Sequence, residues 1–288
     1  MDSLMRSDAG REHHADAAAG SGPILFLHIP KTAGSTLSQV LYRTLHADEL
    51  GKSEGDAYHE GLYYITEGFH KHDAPSIPRN IVRALGRGDI RGVLGHFSFG
   101  VHRHTRPGAR YLTIVREPVG RVVSLWRHLQ PGVSLTEFAS EGLSLLEVDN
   151  DQARRIAGVD PPFGHCDESL LEIAKRNIEE WFLWTGLTER FDLSLLALSR
   201  LMGWDEAPEY LPKLINRSRG SRPSRSEIER VRELNWVDQR LYEFVEQRLL
   251  GQAQKLMRDA DADLATYQAR LQRHHAVHAG AIDTMGLG

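Results

Sequence analysis

Two stretches of the chain pass from an unbroken apolar run straight into a helical repeat. The first run, PILFLHIP at residues 23–30, is bounded by prolines and predicts a short strand buried on both faces. After the turn KTAG comes STLSQVLYRTL, in which Leu37, Val40, Leu41 and Leu45 recur at helical spacing and form one apolar stripe. The second run, YLTIVR at residues 111–116, predicts another buried strand. Pro118 then suits a first helical turn, and Val119, Val122, Val123 and Trp126 make a second stripe. Strand, loop and helix repeated in series predict a parallel sheet with crossover helices, whose ligands bind outside the carboxyl ends of the strands. Both loops are therefore expected to open on one edge.

The remainder reads as mainly helical. Residues 170–184 and 193–202 carry helical patterns, and residues 227–267 have the charged, Leu-spaced pattern of long surface helices. Trp181, Phe182, Trp184 and Phe191 fall on these segments and are assigned to the core. Residues 1–20 and 272–288 lack periodicity and are expected to be flexible tails, which leaves one α/β domain at 21–271.

Composition narrows the function classes. The 288 residues are 41% hydrophobic and 26% charged, an ordinary globular balance that excludes a disordered or fibrous chain. A net charge of −4 speaks against the whole molecule acting as an electrostatic binder of nucleic acid or acidic membrane, so any anion site has to be local. The single cysteine, Cys166, excludes an internal disulfide framework and a cysteine-rich zinc cluster. The N-terminal stretch has no apolar segment of the secretory kind, and the run at 24–29 is too short to cross a bilayer. The expectation is a cytoplasmic protein without stable membrane insertion.

The loop PKTAGST sets Lys31, small residues and hydroxyls between a buried strand and a helix start. Unpaired backbone N–H groups and about half a positive charge from the helix dipole face outward there, a geometry that cradles phosphate or sulfate. It is not the GxxxxGK[ST] loop of ATPases, because Lys31 precedes Gly34 rather than following a second glycine. The plainer alternative is a tight turn at Gly34, a helix capped by Ser35 or Thr36, and a solvated Lys31. Arg116 ends the second strand, and Ser124 lies two helical turns on, a pair suited to a second anion; the plainer alternative pairs Arg116 with Glu117. Residues 213–225 hold Lys213, Arg217, Arg219, Arg222 and Arg225 and no acid, a basic loop that is either a solvated connection or a flap over an anion. His70, His72, His96, His102 and His104 are not matched with carboxylates at a recognised metal spacing, and no metal is expected.

HIPKTAGST and REPVGRVVSLW resemble the 5′-phosphosulfate loop and the 3′-phosphate motif of sulfotransferases that use 3′-phosphoadenosine 5′-phosphosulfate (PAPS), in particular the family 2 type related to heparan sulfate 2-O-sulfotransferase. GHFSFG lies between them; NDQARRIAG, the stretch from Ala174 to Trp204, NRSRGSRPS and DQRLYEF follow in the family order. The resemblance covers residues 23–250 and implies a P-loop-like three-layer sandwich with a central parallel sheet and a helical C-terminal half. It implies that Lys31, Thr32, Ala33, Gly34, Ser35 and Thr36 wrap the 5′-phosphosulfate, and that Arg116 and Ser124 bind the 3′-phosphate. Arg219 and Gly220 are carried over by looser analogy as nucleotide contacts. The family places a histidine base in the segment matching GHFSFG, which nominates His96, with His28 as second choice. The implied reaction moves a sulfuryl group from PAPS to an acceptor hydroxyl, on a carbohydrate or glycoconjugate, with PAP as product. Competing readings are a nucleotide-dependent phosphotransferase, disfavoured by the order of Lys31 and Gly34, and a non-catalytic PAP-binding sensor or scaffold.

Overall fold

The computed structural model describes residues 22–45, 57–59, 61–65, 77, 79–129, 132–140, 146–211 and 222–278. Strand β1 is Ile24–Leu27 and runs into helix α1, Gly34–Thr44. Strands β2 (Ala57–His59), β3 (Leu62–Ile65) and β4 (Gly92–Gly95) follow, with helix α2 (Arg79–Leu85) between the last two. Strand β5 (Arg110–Val115) leads into α3 (Pro118–Leu129) and the single turn α4 (Leu135–Phe138). Beyond these come α5 (Asp151–Ala157), α6 (Glu168–Trp181), β6 (Phe182–Leu187) and α7 (Phe191–Leu201). Helices α8 (Arg225–Leu234), α9 (Trp236–Leu256) and α10 (Ala260–Val277) complete the described chain.

The sheet order is β2-β3-β4-β1-β5-β6, parallel throughout except for the antiparallel edge pair β2–β3. β1 is the inner strand between β4 and β5, and all four of its residues are buried, which is why its sequence is uniformly apolar. Its side chains alternate between two cores. Leu25 and Leu27 pack with Val93, Tyr111 and residues of α5, α6 and α9, whereas Ile24 and Phe26 pack with Leu112, Ile114 and residues of α1, α7 and α10. The result is the expected three-layer α/β sandwich. A third cluster joins Val122, Leu125 and Trp126 of α3 to Phe138 and to Val231 of α8.

Two sequence expectations change. The helix read over 170–184 stops at Trp181, and Phe182–Leu187 is a strand paired in parallel with β5. Trp184 is fully buried on that strand, and its indole N–H donates to the Ser194 carbonyl at 3.0 Å. At the other end, α10 continues to Val277, so residues 272–277 belong to a helix and not to a tail. Its last turns are held by polar contacts that an apolar stripe does not reveal: His275 Nε2 donates to the Tyr210 carbonyl at 2.7 Å, and His274 Nδ1 lies 3.0 Å from Glu209. Residues 1–20 and 279–288 lie outside the described residues.

The pattern of Arg154 and Arg155 suits salt-bridged helix residues, and the structure forms those bridges. Both are buried, as is every residue of α5. Arg154 Nη2 lies 2.5 Å from Asp149 and Nη1 lies 2.7 Å from Asp160. Asp149 also accepts from Asn150 Nδ2 and from the Gly164 N–H, each at 2.8 Å. Removing one partner of a buried ion pair leaves an uncompensated charge, which costs about 3–5 kcal/mol. Asp149→Ala is therefore expected to lower unfolding stability by about that amount, read as a lower urea midpoint at unchanged slope against the parent protein.

Candidate active site

β1 delivers the chain to the carboxyl edge of the sheet, where the following loop takes an unusual path. Lys31 and Ala33 both adopt left-handed backbone conformations, with φ of 69° and 65°. For residues with a side chain such strain costs on the order of 1–3 kcal/mol each and persists only where the surroundings enforce it. The enforcement is visible: the buried Thr32 hydroxyl donates to the Ile29 carbonyl at 2.8 Å, and the Thr188 hydroxyl reaches the carbonyls of Thr32 at 2.9 Å and Val115 at 3.1 Å. Thr32 thus braces the loop with its hydroxyl. The cap of α1 is Ala33, which supplies no side-chain hydrogen bond, so neither Ser35 nor Thr36 caps the helix. The N–H groups of Thr36 and Leu37 turn to the Ala33 carbonyl, while those of Gly34 and Ser35 open the helix, where no carbonyl lies four residues back to receive them.

β5 ends beside this loop because it pairs directly with β1. Arg116, the next residue, donates from Nη1 to the Lys31 carbonyl at 3.1 Å. Glu117 does not take up the guanidinium, since its two carboxylate oxygens accept from the N–H groups of Val119 and Gly120 and cap α3. The carboxylate nearest Arg116 is Glu189, at 3.9 Å from Nε. Burial holds the Lys31 ammonium below its ordinary value, and the positive charge of Arg116 lowers it further. Burial likewise lowers Arg116, opposed by Glu189 and Glu117 and reinforced by Arg121. Two half-buried cations held side by side against a helix start form an electrostatic trap for an anion. Ser124 lies half-buried on α3, two turns beyond Arg116. Arg219 and Gly220 lie outside the described residues, as do Lys213 and Arg217.

The segment after β4 brings a third group to the same edge. His96 Nδ1 lies 2.8 Å from the His28 carbonyl. A carbonyl only accepts, so Nδ1 carries the proton and the neutral ring's lone pair sits on Nε2. The two imidazoles lie 4.2 Å apart, tilted by 33°. On its other side His28 meets Gly34, where an added Cβ would lie 2.0 Å from His28 Cδ2. Burial keeps His28 neutral by pulling its pKa well below the usual value, with His96 and Arg155 adding to the effect, and its Nδ1 is sealed without a hydrogen-bond partner. Arg116 thus touches the Lys31 backbone and His96 touches His28, and the His28 ring lies against Gly34 of the loop that carries Lys31. His102 is elsewhere in role: its ring stacks on Trp181 at 4.1 Å and meets the Tyr111 hydroxyl at 2.9 Å. Among the described residues no three His, Cys, Asp or Glu side chains are gathered to hold a metal ion; His70 and His72 are outside them.

Sequence reasoning assigned no role to α5, yet this helix touches both halves of the site. The Gln152 carboxamide accepts from the Arg116 N–H at 2.8 Å and donates to the Arg116 carbonyl at 2.9 Å. The Arg155 carbonyl accepts from the Phe99 N–H at 2.8 Å, inside the segment that carries His96. Thr188 was also missed. NDQARRIAG follows the two loop motifs in the family order, but no local signal distinguishes a buried polar helix from a solvated one.

The edge of the parallel sheet thus gathers two half-buried cations, a helix start and a histidine pair. Comparison with known proteins makes this specific. Residues 18–152 match the model of the sulfotransferase family. The chain is 26% identical over 219 residues to galactose-3-O-sulfotransferase 3 of Bos taurus, covering 69% of this chain and 49% of that protein. It is 27% identical over 258 residues to galactosylceramide sulfotransferase of Mus musculus, covering 78% and 57%. A crystal structure of a sulfotransferase from Alicyclobacillus acidocaldarius aligns with a TM-score of 0.44 at 16% identity, covering 78% of this chain and 96% of that one. Residues 18–152 are thus similar to the sulfotransferase family, and the curated relatives matched are sulfotransferases. The chain spans about half the length of the curated relatives it matches.

The histidines also set a pH response. Burial, Arg103 and His104 pull His102 down to about 4 from an ordinary 6.5. Between those values the unfolded chain takes up a proton that the folded chain refuses, so this contribution to stability is complete above about pH 6.5 and is lost as pH falls through the window. His28 acts with the same sign. The melting temperature is expected to drop between pH 7 and 5, and to drop less in His102→Gln, measured by circular dichroism at both pH values.

Proposed function

We propose that this protein transfers the sulfuryl group of PAPS to an acceptor hydroxyl. The observation that carries the reading is the hydrogen bond from Arg116 Nη1 to the Lys31 carbonyl, which sets the cations of the two loops at one edge of the sheet. A donor with a phosphosulfate at one end of its ribose and a phosphate at the other matches two neighbouring cationic pockets. The match of residues 18–152 to the sulfotransferase family model supports the same chemistry.

In this reading Lys31 and the N–H groups at the start of α1 hold the 5′-phosphosulfate, and Arg116 with Ser124 takes the 3′-phosphate. His96 Nε2 accepts the proton of the acceptor hydroxyl, and the acceptor oxygen attacks sulfur. The bond from sulfur to the bridging oxygen breaks, and its electron pair leaves with the 5′-phosphate of PAP, whose growing charge Lys31 and the loop amides stabilise. Groups already fixed in place meet that charge without reorganisation, which is the use of a strained, well-braced loop. The products are a sulfate ester and PAP. The acceptor is proposed to be a carbohydrate or glycolipid hydroxyl, the class named by the relatives that act on galactose and galactosylceramide. No helix among the described residues is long and apolar enough to cross a membrane. The cytoplasmic compartment belongs to the proposal and rests on the lone Cys166, buried with its thiol pushed up to about 12 by burial.

Calorimetric titration is expected to show tight binding of PAP and weak binding of ADP with Mg²⁺. Arg116→Ala is expected to weaken PAP by 10-fold or more, because a charge-assisted hydrogen bond is worth about 1.5–3 kcal/mol. His96→Ala is expected to keep PAP affinity while losing transfer by about 10²- to 10⁴-fold, measured with labelled PAPS and a galactolipid or glycan panel. Preference for ADP with Mg²⁺ would overturn the donor; full turnover by His96→Ala would overturn the base.

A further inference from the structure

Arg116 stands one residue past β5, where the sheet no longer supplies partners for its backbone. Its N–H and carbonyl would both be left to solvent or to chance, and the guanidinium they carry would swing with them. Instead both groups are paired by one side chain. Gln152 Oε1 accepts from the Arg116 N–H at 2.8 Å, and Gln152 Nε2 donates to the Arg116 carbonyl at 2.9 Å. The carboxamide thus copies the hydrogen bonding of a neighbouring strand for a single residue beyond the sheet's end.

Such a clamp positions only if it is itself fixed, and Gln152 is. Its side chain is buried, and its own N–H donates to Asp238 at 3.2 Å while the next N–H, of Ala153, donates to the same carboxylate at 2.7 Å. At the far end of α5, Asn177 Nδ2 donates to the carbonyls of Ile156 at 3.0 Å and Ala157 at 3.1 Å. The helix is therefore pinned to α9 at its start and to α6 at its finish. From that platform a line of contacts runs from Gln152 to the Arg116 backbone, and from the Arg116 guanidinium to the Lys31 carbonyl.

We infer that Gln152 is a positioning residue for the 3′-phosphate: by clamping the Arg116 backbone on both sides it fixes the guanidinium that distinguishes a 3′-phosphorylated adenosine nucleotide from one without that phosphate. The inference rests on the reading of Arg116 as the 3′-phosphate ligand. Gln152 touches no nucleotide in this scheme and acts through Arg116, so its loss falls mainly on the end of the donor that Arg116 holds, while the Lys31 loop keeps its own braces at Thr32 and Thr188.

The test compares PAP with 5′-AMP, which lacks the 3′-phosphate, by calorimetry on the parent protein, Gln152→Leu and Gln152→Glu. Leu removes both hydrogen bonds. Glu keeps the size and one acceptor but sets a carboxylate oxygen against the Arg116 carbonyl, and it carries the comparison if Gln152→Leu does not fold. The parent is expected to bind PAP more tightly than 5′-AMP. The variants are expected to lose 10-fold or more in PAP affinity with 5′-AMP affinity within twofold of the parent, and to raise KM for PAPS more than they lower kcat. An unchanged PAP to 5′-AMP ratio, or equal loss of both nucleotides as general loosening would give, overturns the inference. A parent that does not distinguish the two nucleotides overturns the reading of Arg116 itself, and the inference with it.

Discussion

Burying a guanidinium costs several kcal/mol unless its N–H groups and its charge are met, and three of them are buried around α5. Arg121 and Arg155 share Asp151, at 3.3 and 2.9 Å, and Arg154 is taken by Asp149 and Asp160. Arg121 also donates to the Glu147 carbonyl, and Arg155 lies 3.5 Å from the Glu147 carboxylate. The carboxylate of Asp238, pushed up to about 6 by burial against the pull of Arg121, receives the first N–H groups of the helix. Breaking one contact in this set exposes a charge to a medium that cannot solvate it, so the set holds or fails together. A helix of seven residues with little apolar surface is thereby made rigid, and the segments that carry Arg116 and His96 are fastened to it.

That rigidity explains how the site can keep its cations close. Lys31 and Arg116 repel, and burial raises the cost of each charge. A flexible loop would relax by moving them apart. Here the Lys31 carbonyl is bonded to Arg116, the Arg116 backbone is clamped by Gln152, and the Thr32 carbonyl is bonded to Thr188. The repulsion is retained by these bonds, and the anion of the proposed donor would relieve it, which is the arrangement preorganised electrostatic stabilisation requires.

Much of this was legible in the sequence, for identifiable reasons. The two strand–loop–helix units announced themselves because an inner parallel strand must be apolar on both faces and because Pro118 suits a helix start. β6 was hidden because its apolar residues follow the amphipathic α6 without a break, and a short apolar run has no period of its own; pairing with β5 decides its state. The residues alone pointed to Lys31 with the helix start and to Arg116 with Ser124, and the resemblance gave these their nucleotide roles and added His96. Gln152 could not be found. It meets Arg116 across 36 positions, and a segment reading Asp-Gln-Ala-Arg-Arg looks solvated until the partners that bury it are known.

His28 occupies the space that a side chain at position 34 would need, and its other face lies against His96. Gly34 and His96 consequently both lie against the same His28 ring. Positions 28 and 34 work as a matched pair: bulk gained at one has to be surrendered at the other, or the ring is pushed into His96. Descendants of this sequence that trade the histidine for a smaller residue gain room for a larger one at 34, and those that keep it are held to glycine.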